Sequence, residues 1–185
     1  MRRVVYWALD VETSGLNPRR DQILAVGMVP VRGGAVRCRE AFYSLVRPPS
    51  PAVVPLWGLK AHHIRPVELR GAPPLAEVLR EVDRRLRGGA LLVHHAAVDV
   101  AFLRRAYRAL GWPWPAPRVV DTARLLERLA RRRALLEPYR APPPLDLAGA
   151  RAYLGLPPYP QHHALVDALA TAELFLALQA RLGEA

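Results

Sequence analysis

Near the start of the chain lies a short unbroken apolar run, Val4-Val5-Tyr6-Trp7-Ala8-Leu9. Its β-branched and aromatic residues predict a buried strand that ends where Asp10 begins. A second strand-like run covers Gln22 to Val31. Gly33-Gly34 then offers a turn that needs positive φ, and Ala35 to Val46 returns as a third strand. Pro48-Pro49-Ser50-Pro51 closes this meander, and Ala52 to Pro73, broken by Pro55, Gly58 and Pro66, reads as irregular.

Helical spacing follows Pro73-Pro74. Leu75, Val78, Leu79, Val82 and Leu86 form one apolar stripe, which Gly88-Gly89 stops before the compact buried strand Ala90 to Val93. A helix is expected from about Asp99 to Leu110, ended by Gly111 and the turn Trp112-Pro113-Trp114-Pro115. The short strand Arg118 to Val120 leads to Asp121, placed to cap a helix carrying Leu125, Leu126 and Leu129. After the proline-rich stretch Pro138 to Pro144 comes a helix near Leu145 to Leu154, then a second such loop, Pro157 to Pro160. The last helix is expected from about His163 to the C-terminus, with Leu165, Ala168, Leu169, Ala172 and Leu176 on one face. Five strands, first as a meander and then alternating with helices, imply an α/β fold: a mixed sheet with helices packed on it.

Apolar residues make up 51% and charged residues 23% of the 185 positions, which excludes wholesale disorder. The length favours one domain over residues 1–185. Cys38 is the only cysteine, so an intrachain disulfide is impossible and a cytoplasmic, reducing setting is expected. No stretch approaches the ~18 apolar residues of a spanning helix, and no export signal follows Met1-Arg2-Arg3. The net charge of +11 draws polyanions, nucleic acid above all. Yet Lys60 is the only lysine and Asn17 the only asparagine amid abundant arginine, so part of that charge is compositional habit. The groups Arg131-Arg132-Arg133 and Arg104, Arg105 and Arg108 could lead a strand in or form solvated helix faces, and Trp112 and Trp114 suit a packed turn better than a base platform.

Candidate chemistry is acidic. Asp10 and Glu12 lie two apart at the end of a strand and therefore on one face. Such a pair repels and takes up a proton unless a cation sits between its members. Oxygen donors of this kind suit magnesium or manganese. Asp99 and Asp167 stand near helix starts, where acids also complement the macrodipole. Each follows a histidine pair: His94-His95-Ala96-Ala97-Val98-Asp99 and His162-His163-Ala164-Leu165-Val166-Asp167. All six histidines occur as adjacent pairs, the third being His62-His63; a histidine zinc site is the alternative, but no cysteine accompanies them.

Leu9-Asp10-Val11-Glu12-Thr13-Ser14-Gly15-Leu16, the segment His94 to Asp99 with Phe102-Leu103, and His162 with Asp167 resemble, in order and spacing, the three motifs of the DEDDh 3′→5′ exonucleases, a family that includes the epsilon proofreading subunit of bacterial DNA polymerase III. His62-His63-Ile64 and Val120-Asp121-Thr122 are weaker echoes. His95 stands where the family usually has asparagine, Val98 where it has phenylalanine, and His63 where it has glycine.

The resemblance implies a ribonuclease H-like mixed five-stranded sheet flanked by helices, and two divalent cations, Mg2+ or Mn2+. Asp10, Glu12 and Asp167 would hold one ion, with Asp10 bridging to a second that Asp99 supports. His162 would be the general base, with His163, four residues before Asp167, as its rival. The Thr13 backbone, Leu16 and His62 would receive the terminal nucleotide. The leading reading is removal of nucleoside 5′-monophosphates from single-stranded 3′ ends of DNA, in repair, proofreading or turnover. Trimming of RNA 3′ ends shares every catalytic residue, and a non-catalytic nucleic-acid-binding module is the reading from another class. A polymerase-associated subunit is expected to carry a tail beyond the last helix, which favours a free-standing enzyme.

Overall fold

The computed structural model describes residues 4–49, 63–137, 139 and 141–183. Its strands are β1 (Tyr6–Thr13), β2 (Ile23–Arg32), β3 (Ala35–Val36), β4 (Phe42–Leu45), β5 (Ala90–Val93) and β6 (Arg118–Asp121). The helices are α1 (Pro66–Arg70), α2 (Leu75–Leu86), α3 (Ala96–Ala109), α4 (Thr122–Ala134), α5 (Leu147–Tyr153) and α6 (Ala164–Leu182). β1 runs antiparallel to β2 and parallel to β5, which in turn is parallel to β6. β3 and β4 both pair with the outer edge of β2.

The mixed sheet flanked by helices is as expected, but it has six strands where the sequence pattern predicts five. The expected third strand is split by a 3₁₀ turn, Cys38–Glu40. Pro30 explains the break. Its carbonyl accepts the Arg37 N–H at 2.9 Å, so its nitrogen faces the same edge and has no hydrogen to donate. The ladder lapses there, and the Arg37–Glu40 stretch leaves the edge and folds over to pair Glu40 with Arg32 at 2.5 Å.

β1 also departs from expectation, running on through Asp10 and Glu12 to Thr13. Backbone pairing does not depend on side-chain polarity, and β2 is long enough to continue the ladder, with Asp10 opposite Gly27 and Glu12 opposite Ala25. Pairing with β5, by contrast, stops at Ala8. Beyond that point one edge of β1 is open, the kind of crevice at strand ends where α/β sheets bind ligands.

Sheet alternation then assigns faces. Leu9, with Leu91 and Val93, packs under α2 and α3 against Val78, Leu79, Val82, Phe102 and Tyr107. Tyr6 and Ala8 face the other way, onto Phe175 and Ala172 of α6, with the Tyr6 and Phe175 rings 4.8 Å apart. Asp10 and Glu12 continue that second stripe toward the first turns of α6.

α6 is wedged between β1 and β2 on one side and α4 and α5 on the other. Only Ala168 and Ala172 of its expected stripe are fully buried; Ala164, Thr171, Leu174, Phe175, Leu178 and Leu182 carry most of the burial, because a helix with neighbours on both sides is apolar nearly all round. α1 forms where irregular chain was expected, and Pro66 begins it rather than breaking structure, since the first helical position needs no N–H donor. α3 starts before Asp99 because its cap comes from elsewhere: Asp121 accepts from the backbone N–H groups of His95 (3.1 Å) and Ala96 (3.0 Å), and also caps α4 through Ala123 (2.9 Å). Among the described residues, no helix is long and apolar enough to cross a membrane.

The first turn of α6 rests directly on β2. A Cβ on Gly27 would lie 2.3 Å from the backbone of Ala164 and Leu165. Gly27→Ala should therefore lift the start of α6 and lower stability by about 1–3 kcal/mol, the usual cost of overpacking. Urea denaturation monitored by circular dichroism tests this; an unchanged midpoint would show that the contact yields freely.

Candidate active site

Where β1 outruns β5, Asp10 and Glu12 of β1 meet Asp167 from the first turn of α6, and one carboxylate oxygen from each lies within 4.8 Å of the others. Asp99, in the first turn of α3, lies outside that group but is tied to it. Its Oδ1 accepts the Val11 N–H at 3.2 Å, a donor on the edge of β1 that β5 has left open. Asp167 is fixed in turn by the His162 backbone N–H, which donates to its Oδ2 at 2.8 Å.

Burial and mutual repulsion dominate the electrostatics. Burial, then the charges of Asp99, Glu12 and Asp167, hold the Asp10 carboxyl well above its ordinary range. Glu12 is pushed up to about 7, by burial first and then by Asp167 and Asp99. Burial also raises Asp99, against the opposing hydrogen bond from Val11, and raises Asp167, against the amides of His162 and His163. Among the described residues no arginine forms an ion pair with any of the four. A cluster of carboxylate oxygens without an arginine partner is suited to a hard divalent cation.

The histidines divide by role. His94 bridges Thr122 Oγ1 and the Leu145 carbonyl, each at 2.8 Å, and His95 reaches the same carbonyl at 2.9 Å. Burial and the neighbouring His95 push His94 down to about 4, so it is neutral at physiological pH. Neither joins a ligand cluster, and among the described residues the one such cluster consists of carboxylates. His163 stacks on Tyr43, ring centroids 4.7 Å apart. His162 is exposed and lies in the walls of two cavities: one of about 430 Å³ with Asp10, His94, Tyr159 and Asp167, and one of about 350 Å³ with Glu12, Tyr43, His63 and His163.

His63, His95 and His162 have left-handed backbones, φ 57°, 61° and 64°. Glycine and asparagine, which the family favours at the positions of His63 and His95, are the residues that adopt this conformation most readily.

Thr13 ends β1, and its hydroxyl donates to the Gly15 carbonyl at 2.7 Å. Leu16 follows in the loop and is 82% exposed. Sequence reasoning missed what holds this loop: Asp21 accepts from Asn17 N–H at 2.8 Å, and Arg105 of α3 donates to the Asp21 carbonyl at 2.5 Å. No local pattern signals the second bond, whose residues lie 84 apart in the chain. His62 lies outside the described residues. The arginine groups prove mainly structural: Arg132 bonds the Leu182 carbonyl, Arg133 bonds Tyr153, and Arg104 lies over Trp114. Trp112 and Trp114 pack edge-on to Tyr107, as a packed turn should.

The sequence model of the exonuclease family matches residues 7–175. Among curated proteins, an epsilon-like protein of DNA polymerase III from Rhodobacter capsulatus is 32% identical over 95% of this chain, and a PolC-type DNA polymerase III from Thermotoga maritima is 30% identical over 91%. The chain spans only 24% and 11% of those proteins. Among solved structures, cell-death related nuclease 4 superposes with a TM-score of 0.82 at 14% identity, covering 97% of this chain and 64% of that one. Exonuclease I from E. coli in complex with a dT13 oligonucleotide gives 0.78 at 17%, covering 97% and 42%. At those identities the likeness is one of fold: the ribonuclease H-like exonuclease architecture.

Carboxyls whose folded-state affinity for protons is raised stabilise the fold only while protonated. The ion-free protein should therefore lose stability as pH rises from the ordinary carboxylate range near 4 through about 7. Mg2+ or Mn2+ should raise the melting temperature strongly at pH 8 and little at pH 5, since ions and protons compete for the same oxygens. Asp10→Asn should raise the ion-free melting temperature at pH 8 and remove the ion-induced shift. Thermal melts at the two pH values decide it; an equal ion effect at both would count against the cluster as the binding place.

Proposed function

The chain belongs to the DEDDh exonuclease family, and from that membership we propose that it removes nucleoside 5′-monophosphates from single-stranded 3′ ends of DNA, working 3′→5′ in the cytosol. The observation that carries this reading is the convergence of Asp10, Glu12 and Asp167, with Asp99 beside them, at the open edge of β1. These four residues would hold two divalent ions, Mg2+ or Mn2+. When bound, such ions supply the positive charge that stabilises the attacking and departing oxygens of an in-line displacement.

His162 acts as general base: it takes the proton of the attacking water, a task for which imidazole is suited near neutral pH. Two features support it over His163. His162 borders both cavities, where His163 borders one, and its own amide is bonded to Asp167, whereas the His163 ring is engaged with Tyr43. The Thr13 backbone receives the terminal 3′ hydroxyl. Leu16, held out in solvent by a loop that is itself well bonded, wedges against the last base, and His62 completes that contact. A single exposed leucine is ordinary on a protein surface, so this role rests on the position of Leu16 in the first motif, just beyond the acids of β1. DNA is favoured over RNA by the polymerase III relatives and by the oligodeoxynucleotide bound to the fold's neighbour.

End-labelled single-stranded DNA and RNA incubated with Mg2+ or Mn2+ test the reading. A ladder shortening from the 3′ end of DNA is expected, abolished by Asp10→Ala. A ladder on RNA alone would make the enzyme a ribonuclease, and no ladder on either would leave a binding module. His162→Ala should lower turnover by roughly 10²–10⁴ with little change in KM; loss with His163→Ala instead would reverse the assignment. Leu16→Ala should weaken turnover on DNA without moving the melting temperature, because no packing is lost.

A further inference from the structure

Arg151 of α5 is only 2% exposed, an uncommon place for a guanidinium. It donates to the Ala170 carbonyl of α6 at 2.8 Å, to the Pro157 carbonyl at 2.9 Å and to Glu173 Oε2 at 2.8 Å. Its flat face covers the Tyr159 ring, 4.5 Å from the centroid, and the Tyr159 hydroxyl donates to Glu173 Oε1 at 3.1 Å. Its Nε is buried without a hydrogen-bond partner among the described residues.

A buried ion pair of this kind is weak evidence for stability, since apolar residues of similar volume often do as well. An apolar side chain cannot, however, hold acceptors from two other segments in one plane, which is what the rigid guanidinium fork does. Those segments are α6 and the loop between α5 and α6. The loop leaves α5 through Gly155 at φ 77°, passes Arg151 and Glu173 at Pro157 and Tyr159, and ends at His162, whose N–H meets Asp167. Between Tyr159 and that last bond stand only Pro160 and Gln161.

We infer that Arg151, with Glu173 and Tyr159, is a positioning clamp that sets His162 relative to the carboxylates. The clamp grips α6 less than two turns beyond Asp167, so one rigid helix carries both the acid and the anchor for the loop. His162 sits in a left-handed conformation at the end of that loop, and the clamp and the Asp167 bond hold it there. The inference rests on the role proposed for His162, and its test separates the two.

Arg151→Lys keeps the charge but loses the fork; Tyr159→Phe removes only the bond to Glu173 and serves if the lysine variant does not fold. Each variant is compared with the wild-type chain by amide hydrogen exchange of the segment 155–163 and by steady-state digestion of labelled single-stranded DNA with Mn2+. Exchange in that segment should quicken at least about tenfold while the sheet core is unchanged. For Arg151→Lys, kcat should fall roughly 10–100-fold, as expected for a displaced catalytic group, with KM and the Mn2+ requirement within about twofold. In a His162→Ala background the same substitution should alter kcat by less than about twofold, because there is no base left to misplace. Unchanged loop exchange overturns the clamp. So does a loss of kcat that persists undiminished without His162, or one that tracks a rising Mn2+ requirement. If the wild-type chain digests nothing, the functional reading fails, and loop exchange alone still decides whether Arg151 holds the segment.

Discussion

Carboxylates repel, and β1 sets two of them on one face beneath a third from α6, with Asp99 bonded to the backbone between them. Everything else near the site can be read as resistance to that repulsion. The ladder between β1 and β2 keeps Asp10 and Glu12 in line, the bare backbone of Gly27 lets α6 approach closely, and amides of Val11 and His162 donate to the outer carboxylates. The raised proton affinities are the remaining, uncompensated part of the repulsion. A cluster of this kind at the end of the central strand is suited to a cation.

The surroundings divide labour between rigid scaffold and exposed chemistry. His94 and His95 are spent on the Leu145 carbonyl, Asp121 on two helix starts, and several arginines on backbone carbonyls or aromatic rings. Among the described residues, Leu16, His162, His163, His63 and Tyr43 are exposed around the acid cluster. The net charge of +11 gives the chain a long-range positive field, the kind that draws polyanions in a sequence-independent, salt-sensitive way.

Left-handed histidines mark this chain off from the pattern it resembles. His63 and His95 occupy conformations that glycine or asparagine would adopt at less cost, and the His95 loop is stitched by bonds to Asp121 and Leu145. Strain of this sort persists where neighbouring contacts over-determine the backbone, and at such sites it is commonly functional.

Local periodicity and motif spacing determined a great deal by themselves. The stripe from Leu75 to Leu86, the strand Ala90 to Val93, the Gly33-Gly34 turn and the capping of α4 by Asp121 all depend on residues close in sequence. So does the pairing of Asp10 with Glu12 on one face. Tertiary structure alone decided the rest. Whether β1 ended at Leu9 or ran to Thr13 depended on β2; where α3 began depended on Asp121 from β6; the third strand broke because of a missing hydrogen on Pro30 across the sheet. Which arginine is buried to hold a loop, and which leucine is left in water, likewise follow from contacts between residues far apart in the chain, and no one-dimensional pattern encodes those.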